Sequence, residues 1–522
     1  MRFFVATLLS ALAPLILVHA SATLPANKIR GVNLGGLFVS EPWLMTAEWR
    51  RMGCSAYTNE RDCMKGNSSA QTGFESHWTD WIVKEDLQNM TALGLNSIRV
   101  PIGYWIVEST VDRSTEYFPT GGFSYLRRLC SWASELGLNV LLDLHGLPGA
   151  QQAETISTGQ SASVAKFVGR EGEYERAYEV LRNLTEEVHT DAAFSSVFAI
   201  EVINEPVQSV SQNADVVAHY YPGAMAAIRD TEAALGISCS SSSTTTTIES
   251  RFARHRRNGS NLHHARERRS VDSTCRKHLK YTPAATASSE SSTASTATST
   301  TAAVESTSSS SASHAFLSSS SSSASTIALT SSSPSSTSTL ASTTTTTTSS
   351  TAAASSSSAS STIAGQKDCL TIIYPDYLWW AGNPVSSLLS TVGTAFDDHQ
   401  YPYYALPSAT TRQEYLNFTC HDSRTSNQPA GVSPILVGEW SLASNVDGGG
   451  DLRTDGEGAE EWYKRWAAAQ MGVYEEAGGW FWWTWKTDTL NDYRWDYQIA
   501  VQAGVLPSTA GDFSTTACDG VV

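Results

Sequence analysis

The sequence predicts a (β/α)₈ TIM barrel of the α/β class, interrupted once by a long low-complexity insertion. Three observations predict it. Eight short apolar runs with β character recur along the chain, and most are separated from the next by a helix-length segment. The runs are almost continuously apolar, as strands covered on both faces of a parallel sheet must be. Several stop abruptly at a polar or charged residue, which is where barrel enzymes carry their chemistry.

The N-terminus comes first. Met1-Arg2, an apolar run from Phe3 to Val18 and a small residue at Ala20 are the parts of a secretory signal peptide, so the mature chain is expected to start near Ser21. Lys28 to Leu34 opens the folded part as the first strand, followed by Gly35-Gly36 and the loop Glu41-Pro42-Trp43. Trp81 to Met90 has apolar residues at helical spacing. Asn96 to Pro101 is the second strand, with Arg99 near its end, and Phe123 to Leu136 is the helix after it, closed by Gly137. Asn139 to Gly146 is the third strand, and Tyr174 to His189 the helix before the fourth, which runs from Phe198 into Asn204-Glu205-Pro206. A helix from Val216 to Leu235 closes this half. The alternation resumes with strands at Cys369 to Asp376, Thr394 to Tyr401, Pro434 to Ser441 and Gly479 to Lys486, with a helix at Glu460 to Tyr474 between the last two.

Between the halves the composition changes. Arg251 to Lys280 holds ten Lys or Arg against Glu267 and Asp272, and Ala284 to Thr362 is a Ser/Thr/Ala tract nearly devoid of aromatics. Such a tract buries too little apolar surface to offset its ordering entropy, so it is read as disordered and O-glycosylated. It joins the fourth helix to the fifth strand, hence the N-terminal face of the barrel, opposite the face that carries chemistry. The expected division is a signal peptide (1–20), a first barrel half (21–238), an insertion (239–365) and a second half (366–522). The basic island is read as a solvated charge run, a processing site or a contact for an anionic wall polymer.

A formal net charge of -16 argues against nucleic acid and anionic membranes as partners. No stretch after the N-terminal run is apolar for long enough to span a bilayer, so a secreted monomer with no membrane partner is expected. Five Asn-x-Ser/Thr triplets, at Asn67, Asn89, Asn183, Asn258 and Asn417, agree with export. Of eight cysteines, Cys54 and Cys63 flank a polar loop and form the expected disulfide, whereas Cys130 lies within an amphipathic helix as a buried thiol. No cysteine–histidine cluster has zinc spacing, and neither metal nor cofactor is expected.

Two apolar runs end in a glutamate, at Glu205 and Glu439. A pair of strand-end carboxylates suits glycosidic-bond cleavage. Glu201 shares a face with Glu205 but lies four residues lower, so it is read as a buried, paired structural residue.

The motifs around these residues carry a resemblance. Arg30-Gly-Val-Asn-Leu-Gly-Gly, Leu95 to Trp105, Asp143 to Gln151, Glu201 to Gln208, Val437 to Leu442 and Phe481 to Lys486 are similar to fungal glycoside hydrolases of family five, and among them to the endo-1,6-β-glucanases. The resemblance implies a retaining hydrolase acting on β-glucan, with Glu205 as general acid/base and Glu439 as nucleophile. It further implies that Arg99 keeps the nucleophile ionised and that Asn204 binds a sugar hydroxyl. His145, His399 and Tyr401 would position sugar and glutamates, and Trp485 would be the platform under the sugar. Trp43, Trp105 and Trp379 are further subsite candidates. An exo-β-1,3-glucanase or transglycosylase on the same scaffold and a non-catalytic wall-binding protein are the alternatives.

Overall fold

Eight parallel strands close into a barrel in the computed structural model. The structure describes residues 24–153, 155, 157–206, 209–239, 365–366, 368–375, 393–406, 411–422, 434–444 and 458–521, together with 19–20. In chain order the strands are β1 (Ile29–Asn33), β2 (Ser97–Gly103), β3 (Asn139–Gly146), β4 (Val197–Glu201), β5 (Thr371–Pro375), β6 (Thr394–Gln400), β7 (Ile435–Trp440) and β8 (Gly479–Trp482). Each pairs with its sequence neighbours, and β8 returns to β1 through Trp480 opposite Arg30. The expected barrel and its eight strands are therefore found. Residues 1–18, the insertion from 240 to 364 and Trp379 lie outside the described residues.

Helices pack outside the barrel through apolar stripes. On α5 (Gly122–Leu136) the buried residues Leu126, Leu129, Cys130 and Ala133 fall at helical spacing, and Gly137 ends the helix at φ 71°, a left-handed conformation that glycine adopts without a Cβ penalty. The helix before β4 is α6 (Glu171–Thr190), and α8 (Tyr221–Ala234) follows it on the outer layer. The helical pattern read at Trp81 to Met90 is realised as α4 (Lys84–Ala92), because the preceding helix ends at Asp80 and Val83 is extended.

The interior is layered. Ile29, Leu141, Phe198, Ala199, Ile373, Ala395, Leu436 and Phe481 form an apolar cluster of their own at the N-terminal end of the lumen. Phe481 fills so much of this level that a Cβ on Gly31 would stand 2.3 Å from its ring. Above the plug the lumen turns polar, with Arg99, Asp143, Glu201 and Asp397 fully buried. The barrel is thus apolar below and polar above.

Two strand ends differ from the sequence reading. β4 stops at Glu201 rather than running to Pro206, and Glu205 has φ 36°, so it sits on a turn above the strand. β8 stops at Trp482, four residues before Lys486.

Among the described residues, Cys54–Cys63 is a disulfide and Cys130 a buried free thiol, as expected. Cys239–Cys369 and Cys420–Cys518 are further bridges. Cys239 follows α8 and Cys369 precedes β5, so the bridge joins the two flanks of residues 240–368 at the N-terminal end of a barrel strand. Replacing both residues (C239S/C369S) should lower unfolding free energy by about 3–5 kcal/mol, the chain-entropy range for a loop this long. Because the bridge is remote from the barrel mouth, kcat should hold; thermal denaturation beside activity checks both expectations.

Candidate active site

The centre of the polar layer is Arg99. It lies in the interior of β2, not at its end, and is fully buried. Its Nε donates to Glu201 Oε2 at 2.9 Å, Nη1 to Asn33 Oδ1 at 2.9 Å and to Glu439 Oε1 at 2.8 Å, and Nη2 to Asn204 Oδ1 at 2.9 Å. Asp143 Oδ2 lies 3.0 Å from Nη2, and Asp397 Oδ2 lies 3.7 Å from Nε. Burial weakens the guanidinium's hold on its proton, but Asp143, Glu201, Glu439 and Asp397 outweigh it and keep its pKa well above the usual value. The paired, buried Glu201 is as the sequence implied.

Glu439 ends β7 and Glu205 stands on the turn after β4. Glu439 Oε1 accepts from Arg99 and Oε2 from the Tyr401 hydroxyl at 2.9 Å. Glu205 Oε1 lies 2.7 Å from His399 Nδ1, and the same nitrogen is 3.5 Å from Glu439 Oε2. One oxygen of each glutamate and a nitrogen of His399 fall within 4.8 Å of one another. Burial pushes the Glu439 carboxyl up, His399 and Arg99 pull it back, and Glu205 pushes it up again. His399 is pulled down by burial, yet Glu439, Asp397 and Glu205 hold it well above the usual imidazole range. It is therefore a cation wedged between two carboxyl groups.

On the other side of the mouth, His145 donates from Nδ1 to Asp143 Oδ2 at 2.6 Å, while Nε2 faces Asn204 Nδ2 at 3.4 Å. Its ring stacks on Trp483 with centroids 5.9 Å apart and an interplanar angle of 11°. Trp485 is turned away from this group. Its Nε1 donates to Asp86 Oδ1 in the first turn of α4 at 2.9 Å, and its ring stacks on Tyr497. The indole beside His145 belongs to Trp483, the residue that follows the end of β8 at Trp482. Trp105 is core, stacked on Phe118 at 4.1 Å, whereas half-buried Trp43 meets Trp495 edge-on at 5.1 Å.

The sequence reading passed over Glu41. It is 5% exposed, accepts from Trp43 Nε1 at 2.8 Å and lies 4.0 Å from His145 Nε2. Its place just beyond the end of β1 was the available signal. Burial pushes its carboxyl up to about 7, against His145 and Trp43 and with Glu439 and Glu205. The mouth thus presents three carboxyl groups, a cation and an indole.

Residues 63–309 match the family model described as Cellulase (glycosyl hydrolase family 5). The chain is 32% identical over 486 residues to a probable glucan endo-1,6-beta-glucosidase B of Neosartorya fischeri, covering 92% of this chain and 87% of that one. It is 31% identical over 489 residues to the glucan endo-1,6-beta-glucosidase B of Emericella nidulans, covering 93% and 86%. Among solved structures, a rutinosidase from Aspergillus niger aligns with a TM-score of 0.53 at 14% identity over 92% of this chain and 98% of that one, a likeness of fold.

The raised Glu41 carboxyl has a consequence for stability. Between pH 4.5 and about 7 the native chain keeps a proton there that the unfolded chain has released, so stability falls as pH rises through that window. The total is on the order of 3 kcal/mol. Glu41→Gln keeps an acceptor for Trp43 and should flatten this part of the curve of Tm against pH; parallel curves for variant and wild type would refute the burial argument.

Proposed function

Because the chain belongs to glycosyl hydrolase family 5, we propose that it is a secreted, retaining endo-β-glucanase that cleaves β-1,6-linked glucan with Glu205 and Glu439. The observation that carries this reading is the approach of the two carboxyl groups, with one oxygen of each within 4.8 Å. Retaining glycosidases hold their carboxyls about 5 to 5.5 Å apart, whereas inverting ones leave about 6.5 to 9.5 Å for a water. The linkage rests on the relatives, whose names specify 1,6-β-glucan. Three disulfides among the described residues suit an oxidising compartment.

In the first step the Glu439 carboxylate attacks the anomeric carbon as Glu205 gives its proton to the departing glycosidic oxygen. An ester to Glu439 forms and the glycosidic bond breaks. Hydrogen bonds from Arg99 and Tyr401 favour the ionised nucleophile, one on each oxygen. His399, charged at neutral pH, donates from Nδ1 to Glu205 Oε1 and so leaves Oε2 for the transferred proton. In the second step Glu205 takes a proton from water, which attacks the anomeric carbon and releases Glu439. Asn204, His145 and Glu41 are placed to bind hydroxyls of the sugar being cleaved, and Trp483, in place of Trp485, to lie under its apolar face.

Residues 239–365 are read as an insertion outside the catalytic unit, which the Cys239–Cys369 bridge at its base supports. Excising 240–364 with both cysteines kept should leave kcat within a few-fold; a large loss in a folded deletant would contradict the placement.

The primary test is wild type beside Glu439→Ala and Glu205→Gln on β-1,6-glucan, with products sized by chromatography and their first-formed anomer read by NMR. Oligosaccharides of β configuration are expected from wild type. Glu205→Gln should lower kcat by about 10²- to 10⁴-fold, and Glu439→Ala should yield no product. Glucose alone, or turnover only on β-1,3-glucan, would overturn the endo-1,6 reading, and an initial α-anomer would overturn retention.

A further inference from the structure

We infer that Asp397, paired with Glu201 beneath the mouth, is the positioning residue that aims both catalytic glutamates at once. The inference rests on the roles proposed for Glu205 and Glu439. Asp397 touches neither of them. It acts through His399 on one side and through the backbone of β7 on the other.

On the first side, Asp397 and His399 are two apart in β6 and so share its inner face. Asp397 Oδ2 lies 3.3 Å from His399 Nε2, whose Nδ1 reaches Glu205 at 2.7 Å. A carboxylate on Nε2 fixes the ring plane and directs Nδ1–H toward the glutamates.

On the second side, the register of β6 on β7 skips a residue. Asp398 faces Val437 and His399 faces Glu439, so Gly438 has no counterpart in the ladder. This is a β-bulge, a device that re-aims the side chain beside it, here Glu439. The bulged N–H donates to Asp397 Oδ1 at 2.5 Å, and Gly438 O accepts from Asn33 Nδ2 at 2.8 Å. Only glycine fits, since a Cβ there would lie 2.0 Å from Asp397 Oδ2. The aspartate is therefore the plug that holds the bulge open.

Glu201 explains how so many acids share this space. One atom each of Glu201, Asp397 and His399 lie within 4.8 Å of one another. Glu201 Oε2 is on Arg99, while its Oε1 is buried without a geometric partner. A proton on Oε1 directed at Asp397 satisfies both groups. Burial raises Glu201 well above the carboxylate range against the pull of Arg99, with Asp397 and Asp143 adding to the rise. Burial also pushes Asp397 up, but His399, Arg99 and the Glu201 hydrogen bond outweigh it and hold it below that range. Glu201 is the protonated member and Asp397 the anion.

The other charged groups facing the pair are Arg99 from β2, Asp143 and His145 from β3, His399 from β6 and Glu439 from β7, with Glu205 above. β1 contributes neutral Asn33, and β8 has no titratable side chain.

The test compares Asp397→Asn, Glu201→Gln and wild type, using an aryl β-glucoside as well as β-1,6-glucan so that a wrong linkage and a wrong device give different results. Tm is followed alongside. Asp397→Asn removes the anion under His399 and should lower kcat by about 10²-fold with little change in KM. The alkaline limb of kcat/KM should move to lower pH by about 1 to 3 units, as His399 loses a neighbouring negative charge. Glu201→Gln keeps a donor for Asp397 and an acceptor for Arg99, and should keep the wild-type limb. An unchanged kcat and limb in Asp397→Asn would overturn the inference. So would an acid shift of the limb in Glu201→Gln, because that variant then removes a charge and the pair does not share a proton. Activity on the aryl glucoside with none on β-1,6-glucan would instead sink the linkage and leave the device standing.

Discussion

The mouth of this barrel depends on one buried cation. Arg99 carries five N–H donors in a plane, and the strands around it supply acceptors to match: Asn33 from β1, Asp143 from β3, Glu201 from β4, Glu439 from β7 and Asn204 beyond β4. A lysine offers a point charge and three donors, and does not fill such a fork. A buried ion pair gives up hydration on both sides, so its value here is less in net stability than in geometry. Removing a charged partner such as Asp143 or Glu439 leaves the guanidinium short of compensation. Five strands are in this way held to one centre, and Glu439, the proposed nucleophile, is one of the acceptors.

The layering explains why the charged centre is tolerated. The apolar cluster around Phe481 and Leu436 seals the lumen from below, so the polar layer meets solvent only at the mouth. In that low-dielectric well, like charges cannot coexist unless protons or cations separate them. His399 separates Glu205 from Glu439, and His145 stands between Asp143 and Glu41. Local backbone distortion is concentrated in the same place. Glu205 at φ 36° and the bulge at Gly438 both interrupt regular strand geometry, and each turns a glutamate toward the centre.

Much of the site was legible. Glu205, Glu439, Asn204, His145, His399 and Tyr401 lie together at the mouth, and Glu201 is the buried partner that its position four residues before Glu205 implied. The misplaced residues share a cause. Trp483 and Trp485 are two residues apart, so a strand drawn to Lys486 puts both on the same face; the strand ends at Trp482, and Trp483 stacks on His145 while Trp485 turns to Asp86. Arg99 was put near a strand end because the strand was drawn only to Pro101, yet β2 continues to Gly103. Asp397 carries no local signature, being an acid whose meaning comes from what surrounds it.

The chain by itself determined the alternation of strands and helices, the eight-fold count, the compositional break and the two strand-end glutamates. These are encoded in the periodicity of consecutive residues, which local sterics and burial read directly. Tertiary structure decided where each strand stops, which cysteines meet across 98 and 130 residues, and that a bulge aims Glu439. It also placed Arg99 against a carboxylate 340 residues away. Those outcomes depend on register and on competition for acceptors between segments distant in sequence, and no window of neighbouring residues contains that information.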